Sequence, residues 1–399
     1  MKFLLGTQYF VYFAVRGVVL PYFNLFCHHL GFSGFQIGVL SSIQTAAVMI
    51  FPVLWAVAAD RFDARKPIFV LCTVVASVLW SLLFFTEKFF PILFILAAYS
   101  VFYAPIIAFL EAFAMDILGS EKKKYGRSRV WGTISFIVVS LILGKVLSIY
   151  STAIIVPLIL GGMAVQSILS FKMPDSKHTQ GKKITHPILA TPKPSDAEPS
   201  ASKPLERSWS DFREFFSFQT SLFLVAAFLM LVSHGAYYGF FSIYLESLGF
   251  GTSFIGFAWA VASFAEIAVM VYSDRIFSRV ALKKVLVVSC LAASLRWILL
   301  FSTITAPMIL VSQLLHAFTY GSFHIASILA MDRLSPKGTT FGQAVNNAVT
   351  YGAGIMTGFF LSGIFYDDFQ GYIFLASSSV ALAGGIIILY LRFDNSNNS

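Results

Sequence analysis

In a chain of 399 residues, a charged share of 12% and an apolar share of 57% exclude a soluble fold, since soluble proteins carry roughly 25% charge. Mean hydropathy of +0.79 identifies a polytopic membrane protein: at ~20 residues per crossing, twelve helices take about 240 residues and leave about 160 for turns and one long loop. The net charge of +9 would serve nucleic acid only as a patch clustered on one fold, and the charges are spread otherwise.

In chain order, apolar spans are predicted at about 8–28, 36–59, 68–86, 89–115, 130–150 and 152–171, and then at about 219–246, 253–273, 282–302, 306–331, 341–365 and 370–392. The first carries Arg16 and is followed by no small-residue cleavage site, so it reads as a retained helix. Tilts or kinks are expected at Pro21, Pro105, Gly352 and Gly354. The organisation is therefore a six-helix bundle over 1–171, a basic Pro-rich linker over 172–215, and a second six-helix bundle over 216–399. The linker holds too little apolar surface to fold alone. Cys27, Cys72 and Cys290 are odd in number, far apart and in or beside apolar spans, which fits neither a disulfide framework nor a zinc site. No metal and no cofactor is expected.

The basic residues set the orientation. Of 28 Lys and Arg, Lys88 and Lys145 lie on one side, Arg16 and Arg296 lie within spans, and the other 24 fall at the termini or in loops that share the opposite side if the spans alternate. By the positive-inside rule that side is cytoplasmic and holds both termini. The expectation is a multi-pass protein of the cytoplasmic membrane, with lipid and a small solute as its partners, no nucleic acid, and a monomeric state.

The two halves echo each other. Arg16-Gly17, Phe23, Leu30-Gly31-Phe32 and Ile37-Gly38 recur 218 residues later as His234-Gly235, Phe241, Leu248-Gly249-Phe250 and Ile255-Gly256. Asp60-Arg61 recurs 214 residues later as Asp274-Arg275. Two parallel six-helix repeats joined by a linker form the architecture of rocker-switch transporters, whose solute site lies at the repeat interface near mid-membrane.

No G-x-x-x-x-G-K-[ST] sequence is present, so energy must come from an ion gradient or from the solute's own gradient. No metalloprotease His/Glu pair or nucleophile elbow is present either, and the chain reads as a transporter, not an enzyme. Ionisable groups inside hydrocarbon cost about 2.5–3.5 kcal/mol each on insertion scales, so each one is a functional candidate. The candidates are Arg16, Glu111, His234, Glu266, Arg296, His316 and His324. Glu111 stands about a turn and a half from Asp116, and Glu266, eight residues before Asp274, lies ~12 Å into the membrane. Acids so deep need cationic partners, and Arg129 and Arg296 are the natural ones; the bland alternative for any one pair is a structural ion pair. A neutral imidazole can accept or pass a proton, which makes His316 a relay candidate near Glu266 and Arg296. His28 and His29 are expected to be solvated at the outer interface.

Asp60-Arg61-Phe62-Asp63-Ala64-Arg65-Lys66 can bridge helix ends and hold an inward gate shut, with Asp274-Arg275 as the weaker copy. This stretch resembles the loop motif of the major facilitator superfamily, G-x-x-x-D-R-x-G-R-[RK]. Ala56 replaces the first Gly, Asp63 falls where the second belongs, and one residue is inserted. The resemblance implies a gating role.

Glu111-Ala112-Phe113, followed eighteen residues later by Arg129 within 125-YGRSRVWG-132, resembles the helix 4–5 hairpin of the lactose permease family. There the Glu and the Arg hold the solute and an aromatic seven residues on stacks against it, a position taken here by Phe136. Glu266, Arg296 and His316 resemble that family's residues linking solute and proton sites, but the family's proton-carrying Glu is Thr319 here. The stretch 233-SHGAYYGFFSIY-244, Glu266, Arg296-Trp297 and the His316/His324 pair resemble the 3-phenylpropionic acid transporter subgroup. Together these imply a solute site of Glu111, Arg129, Phe136, Arg16 and His234, with proton coupling through Glu266, Arg296, His316 and His324. The expected function is proton symport of an aromatic carboxylate or sugar-like solute. Proton-driven efflux of apolar compounds, or a non-transporting scaffold or sensor on the same fold, are the alternatives.

Overall fold

The computed structural model describes residues 1–119, 121, 125–175, 215–302, 304–335 and 339–393. Most of the expected linker, residues 176–214, lies outside the described residues. Twelve helices are long and apolar enough to span a membrane. They are α1 (Lys2–His29), α2 (Gly34–Arg61), α3 (Arg65–Phe85), α4 (Phe89–Leu118), α5 (Arg129–Leu147), α6 (Thr152–Ser170), α7 (Phe218–Ser247), α8 (Thr252–Arg279), α9 (Leu282–Ser302), α10 (Ala306–Leu334), α11 (Phe341–Phe369) and α12 (Tyr372–Leu389). Helices suit lipid because every backbone polar group is bonded within the segment. Phe94, Ile168 and Val271 project outward, as lipid-facing groups do. Several helices outrun their predicted spans, α1 beginning at Lys2 and α8 ending at Arg279, since apolarity marks the lipid contact while the backbone ladder continues past it.

Pro105 divides α4 into Phe89–Tyr103 and Ile106–Leu118, as a residue without an N–H can. Helix α1 continues through Pro21 unbroken. Gly352 and Gly354 fall in a π-helical turn, Asn347–Gly354, and a second π turn, Ala317–Ser322, interrupts α10.

The repeated sequence elements have a common physical cause. Gly31 and Gly249 take the left-handed φ values +82° and +85° that end α1 and α7. In each turn the Gly N–H bonds back to His28 or Glu246, and the next Phe N–H bonds to Cys27 or Leu245. This is the Schellman cap, made twice. Gly38 and Gly256 let α2 cross against α11 and α8 against α5, because a Cβ there would meet the backbone of Phe359 and Gly363, or of Ser140. Such close approach is a use of small residues typical of membrane helices.

These crossings hold the halves together at the end of the molecule carrying His29. There Asn24 Nδ2 donates to Gly239 O (3.0 Å), Thr252 Oγ1 to Gly144 O (2.9 Å) and Ser42 Oγ to Met356 O (3.1 Å). The Asp367 carboxylate of α11 accepts from Gly34 N–H at the start of α2, both oxygens at 2.9 Å. His28 and His29 are exposed, as expected, and His29 also bridges Thr152 Oγ1 (2.9 Å) and Glu246 (2.8 Å), tying α1 and α6 to α7. At the opposite end, which carries Asp60 and Asp274, the ion pairs among the described residues lie within the first half or reach the start of the linker: Arg65 with Asp116 (2.5 Å), Lys66 with Asp175 (3.9 Å) and Lys2 with Glu121. Among the described residues, the hydrogen bonds that close the halves on each other gather at the His29 end.

Candidate functional site

Between the halves lies a cavity of about 650 Å³, within the roughly 300–1,000 Å³ usual for small-molecule sites. From the first half it is lined by Tyr12 and Arg16 of α1, Gln44 and Thr45 of α2, Tyr99 and Tyr103 of α4, and Arg129 and Phe136 of α5. From the second half come Tyr238 of α7, Trp259 and Glu266 of α8, His316 and Tyr320 of α10, and Tyr351 of α11. The first half presents a continuous aromatic wall. Tyr12 stacks on Tyr103 (5.5 Å), Tyr103 on Tyr99 (5.0 Å), and Tyr99 packs on Trp80 (5.1 Å). The second half answers with a column in which Tyr320 lies between His316 (5.4 Å) and His324 (6.3 Å).

Arg16, Arg129, Phe136, Glu266 and His316 thus meet in one cavity, as the sequence implied. Four other candidates sit differently. His234 is not in the cavity wall; it is fully buried behind it, its Nδ1 at 2.8 Å from Met230 O and its ring edge-on to Trp297. Tyr238 and Tyr320, which do line the cavity, stand beside the His234 ring at 6.2 and 6.4 Å. Glu111 also lies outside the wall. The expected Glu111–Arg129 ion pair is absent from the described contacts: Glu111 takes a long hydrogen bond from Tyr125 Oη (3.5 Å), while the Arg129 guanidinium lies over the Phe13 ring at 4.1 Å. Glu111 sits on the segment of α4 after the break at Pro105, so its facing does not follow from spacing along an unbroken helix. His324 lies beside the cavity, bonded to Tyr351 Oη at 2.7 Å.

Arg296 is sealed in the second half, fully buried and in no ion pair among the described residues. Its Nη1 donates to His316 Nδ1 (2.9 Å), its Nη2 to Gln313 Oε1 (3.0 Å), and its guanidinium lies over Tyr237 at 4.0 Å and Trp297 at 4.7 Å. Tyr237 Oη also donates to Gln313 Oε1 (3.0 Å). A guanidinium only donates, so His316 Nδ1 must accept, and the neutral ring carries its proton on Nε2. Arg296 therefore orients His316 and does not reach the solute. Glu266 stands apart from this cluster, so the expected Glu266–Arg296 pairing is not formed. Glu266 forms no ion pair among the described residues, and the cation that acts on it is Arg129, from the other half. The π turn of α10 reaches Glu266 through Gly321, whose missing Cβ would lie 3.3 Å from Glu266 Cγ.

Asp60, Arg61, Asp274 and Arg275 are all exposed, near the tips of α2 and α8. Sequence reasoning did not single out the stacked Tyr12, Tyr99 and Tyr103, and it missed the cross-half contacts of Asn24, His29 and Asp367. Tyrosines inside apolar spans were the available signal for the wall, since their hydroxyls need polar company.

The MFS_1 like family is matched over residues 3–376. The probable 3-phenylpropionic acid transporter of Escherichia coli (strain K12) is 24% identical over 381 residues, covering 95% of this chain and 94% of its own. The maltose permease of Geobacillus stearothermophilus is 22% identical over 390 residues, covering 96% and 92%. Among solved structures, the nucleoside transporter NupG superposes with a TM-score of 0.84 at 17% identity over 98% of both chains, which shows a shared fold.

Proposed function

The chain belongs to the major facilitator superfamily, through its MFS_1 like family, and from that premise we propose that it imports a small organic solute together with protons across the cytoplasmic membrane. As a member it is a multi-pass membrane transporter of small solutes. The observation that carries the finer reading is the cavity between the halves, closed at the His29 end and holding Glu266 in its wall. Alternating access follows if the halves rock so that the His29 contacts part while the Asp60 and Asp274 ends approach. The names of the relatives support an aromatic carboxylate or a sugar-like solute. The protein acts as a monomer, and Glu266 carries the coupling proton. The test is counterflow in liposomes: purified protein preloaded with unlabelled 3-phenylpropionate, or with a sugar or nucleoside, should take up the labelled compound. Failure across all three classes would remove transport of these solutes.

The Asp60 end is cytoplasmic in this proposal, because Arg61, Arg65, Lys66, Arg275, Arg279, Lys283 and Lys284 gather there. The native cysteines are buried, so single introduced cysteines can report sidedness. A membrane-impermeant maleimide should label Ser148→Cys in intact cells and Asp63→Cys only after permeabilisation. Labelling of Asp63→Cys from outside reverses the orientation.

Asp60-Arg61 and Asp274-Arg275 close the inner gate in the other state. Asp60→Asn should raise labelling at the inner mouth while leaving solute affinity near wild type. Unchanged labelling takes the gating role from Asp60.

A further inference from the structure

We propose that the cavity is a monocarboxylate site in which Arg16 binds the anionic group and the two aromatic walls hold an apolar ring. This rests on the transport reading and names its substrate class. Three arginines lie near the interface, and their surroundings separate them. Arg296 is sealed from the cavity by His316, Gln313, Tyr237 and Trp297. Arg129 stands over the Phe13 ring at 4.1 Å and has Glu111 and Glu266 within electrostatic reach, though it forms no ion pair with either among the described residues. Arg16 lines the cavity from the middle of α1, and no ion pair among the described residues includes it. Its electrostatic neighbours are the phenols Tyr12, Tyr99 and Tyr103 of its own half and Tyr320 of the other.

A cation held at mid-membrane without a carboxylate is costly, and functional sites are where such a cost is tolerated. A planar guanidinium offers a carboxylate two parallel N–H donors. The phenols beside it are neutral donors that add hydrogen bonds without competing as counter-ions. The stacked series Tyr12, Tyr103, Tyr99 lines the cavity beside Arg16 and offers flat ring faces, and Tyr320 and Tyr351 line it from the second half. An aryl group attached to a short-chain carboxylate meets both features at once. Because Tyr320 belongs to the second half and Arg16 to the first, a bound anion would touch both and favour their closure.

The experiment compares equilibrium binding of 3-phenylpropionate, ionised at pH 7, with its neutral amide, on purified wild type, Arg16→Gln and Arg16→Lys. Charge-assisted hydrogen bonds predict that wild type prefers the acid by about 10–100-fold. Arg16→Gln should bring that ratio to about one with amide binding unchanged, and Arg16→Lys should keep part of it because a point charge replaces the fork. A preference retained in Arg16→Gln overturns the assignment, as does a wild type that binds acid and amide equally or binds neither. If Arg16→Gln does not fold, an undiminished preference in Arg16→Lys overturns it. Counterflow is scored separately: binding with the predicted ratio but no exchange defeats the transport reading and leaves Arg16 in place, whereas exchange of another solute without acid binding does the reverse.

Discussion

Glu266→Gln protein should exchange solute across liposomes at close to the wild-type rate and yet fail to concentrate it under a pH gradient. Glutamine has the shape of a protonated glutamate, so the cavity wall and its contact with Gly321 of α10 are preserved. What is lost is the ability to be charged in one part of the cycle and neutral in another. Glu266 has the position for that change: it lines the cavity, it forms no ion pair among the described residues, and Arg129 faces it from the half that moves. Thr319, where related permeases carry an acid, cannot take a proton; its hydroxyl accepts from Arg296 Nη1 at 3.4 Å. One pH unit sustains about a tenfold accumulation per proton, and in the variant the ratio should fall to about one. If Glu266→Gln still concentrates solute, the carrier lies elsewhere, with His316 and Glu111 next to be tested.

Gly38→Leu should abolish net flux by a different route. A Cβ at Gly38 would stand 2.7 Å from Phe359 O and 2.9 Å from Gly363 Cα, both backbone atoms of α11 that have no rotamer to change. Overpacking costs about 1–3 kcal/mol where surroundings can adjust, and the easiest adjustment here is to separate the halves at the His29 end. The variant should therefore be held open to the outside. Ser41, in the cavity wall and buried in the closed state, reports this: Ser41→Cys should react with external maleimide about 10–100-fold faster when Gly38→Leu is present. Equal reactivity would mean that the α2–α11 crossing does not close the outer path.

The sequence revealed the fold because its cues are local and chemical. Apolar runs mark lipid contact, and the repeated Leu-Gly-Phe and Ile-Gly pairs mark a helix cap and a helix crossing that each half needs in the same place. Depth was legible as well, from a rise of about 1.5 Å per residue, and Arg16, Arg129, Phe136, Glu266 and His316 do line one cavity. Facing was harder to read. His234 has the repeat position of Arg16, yet Tyr238 and Tyr320 line the cavity beside it while His234 itself is fully buried. Glu111 follows a helix break at Pro105, and His316 and His324 flank a π turn, each of which alters the rotation that an unbroken 3.6-residue period would give. The His29–Glu246 bridge joins residues 217 apart and depends on how the halves meet, which no local pattern encodes.

Proton-driven accumulation by the wild type tests the central claim most directly. Liposomes holding the purified protein, with acid outside and the membrane potential clamped at zero, are given labelled 3-phenylpropionate. Symport through this cavity predicts pH-driven initial uptake well above that of protein-free liposomes, into which the undissociated acid diffuses unaided, toward roughly tenfold accumulation per pH unit for one proton, and its collapse when a protonophore is added. Uptake no faster than in protein-free liposomes under the same pH gradient would contradict it.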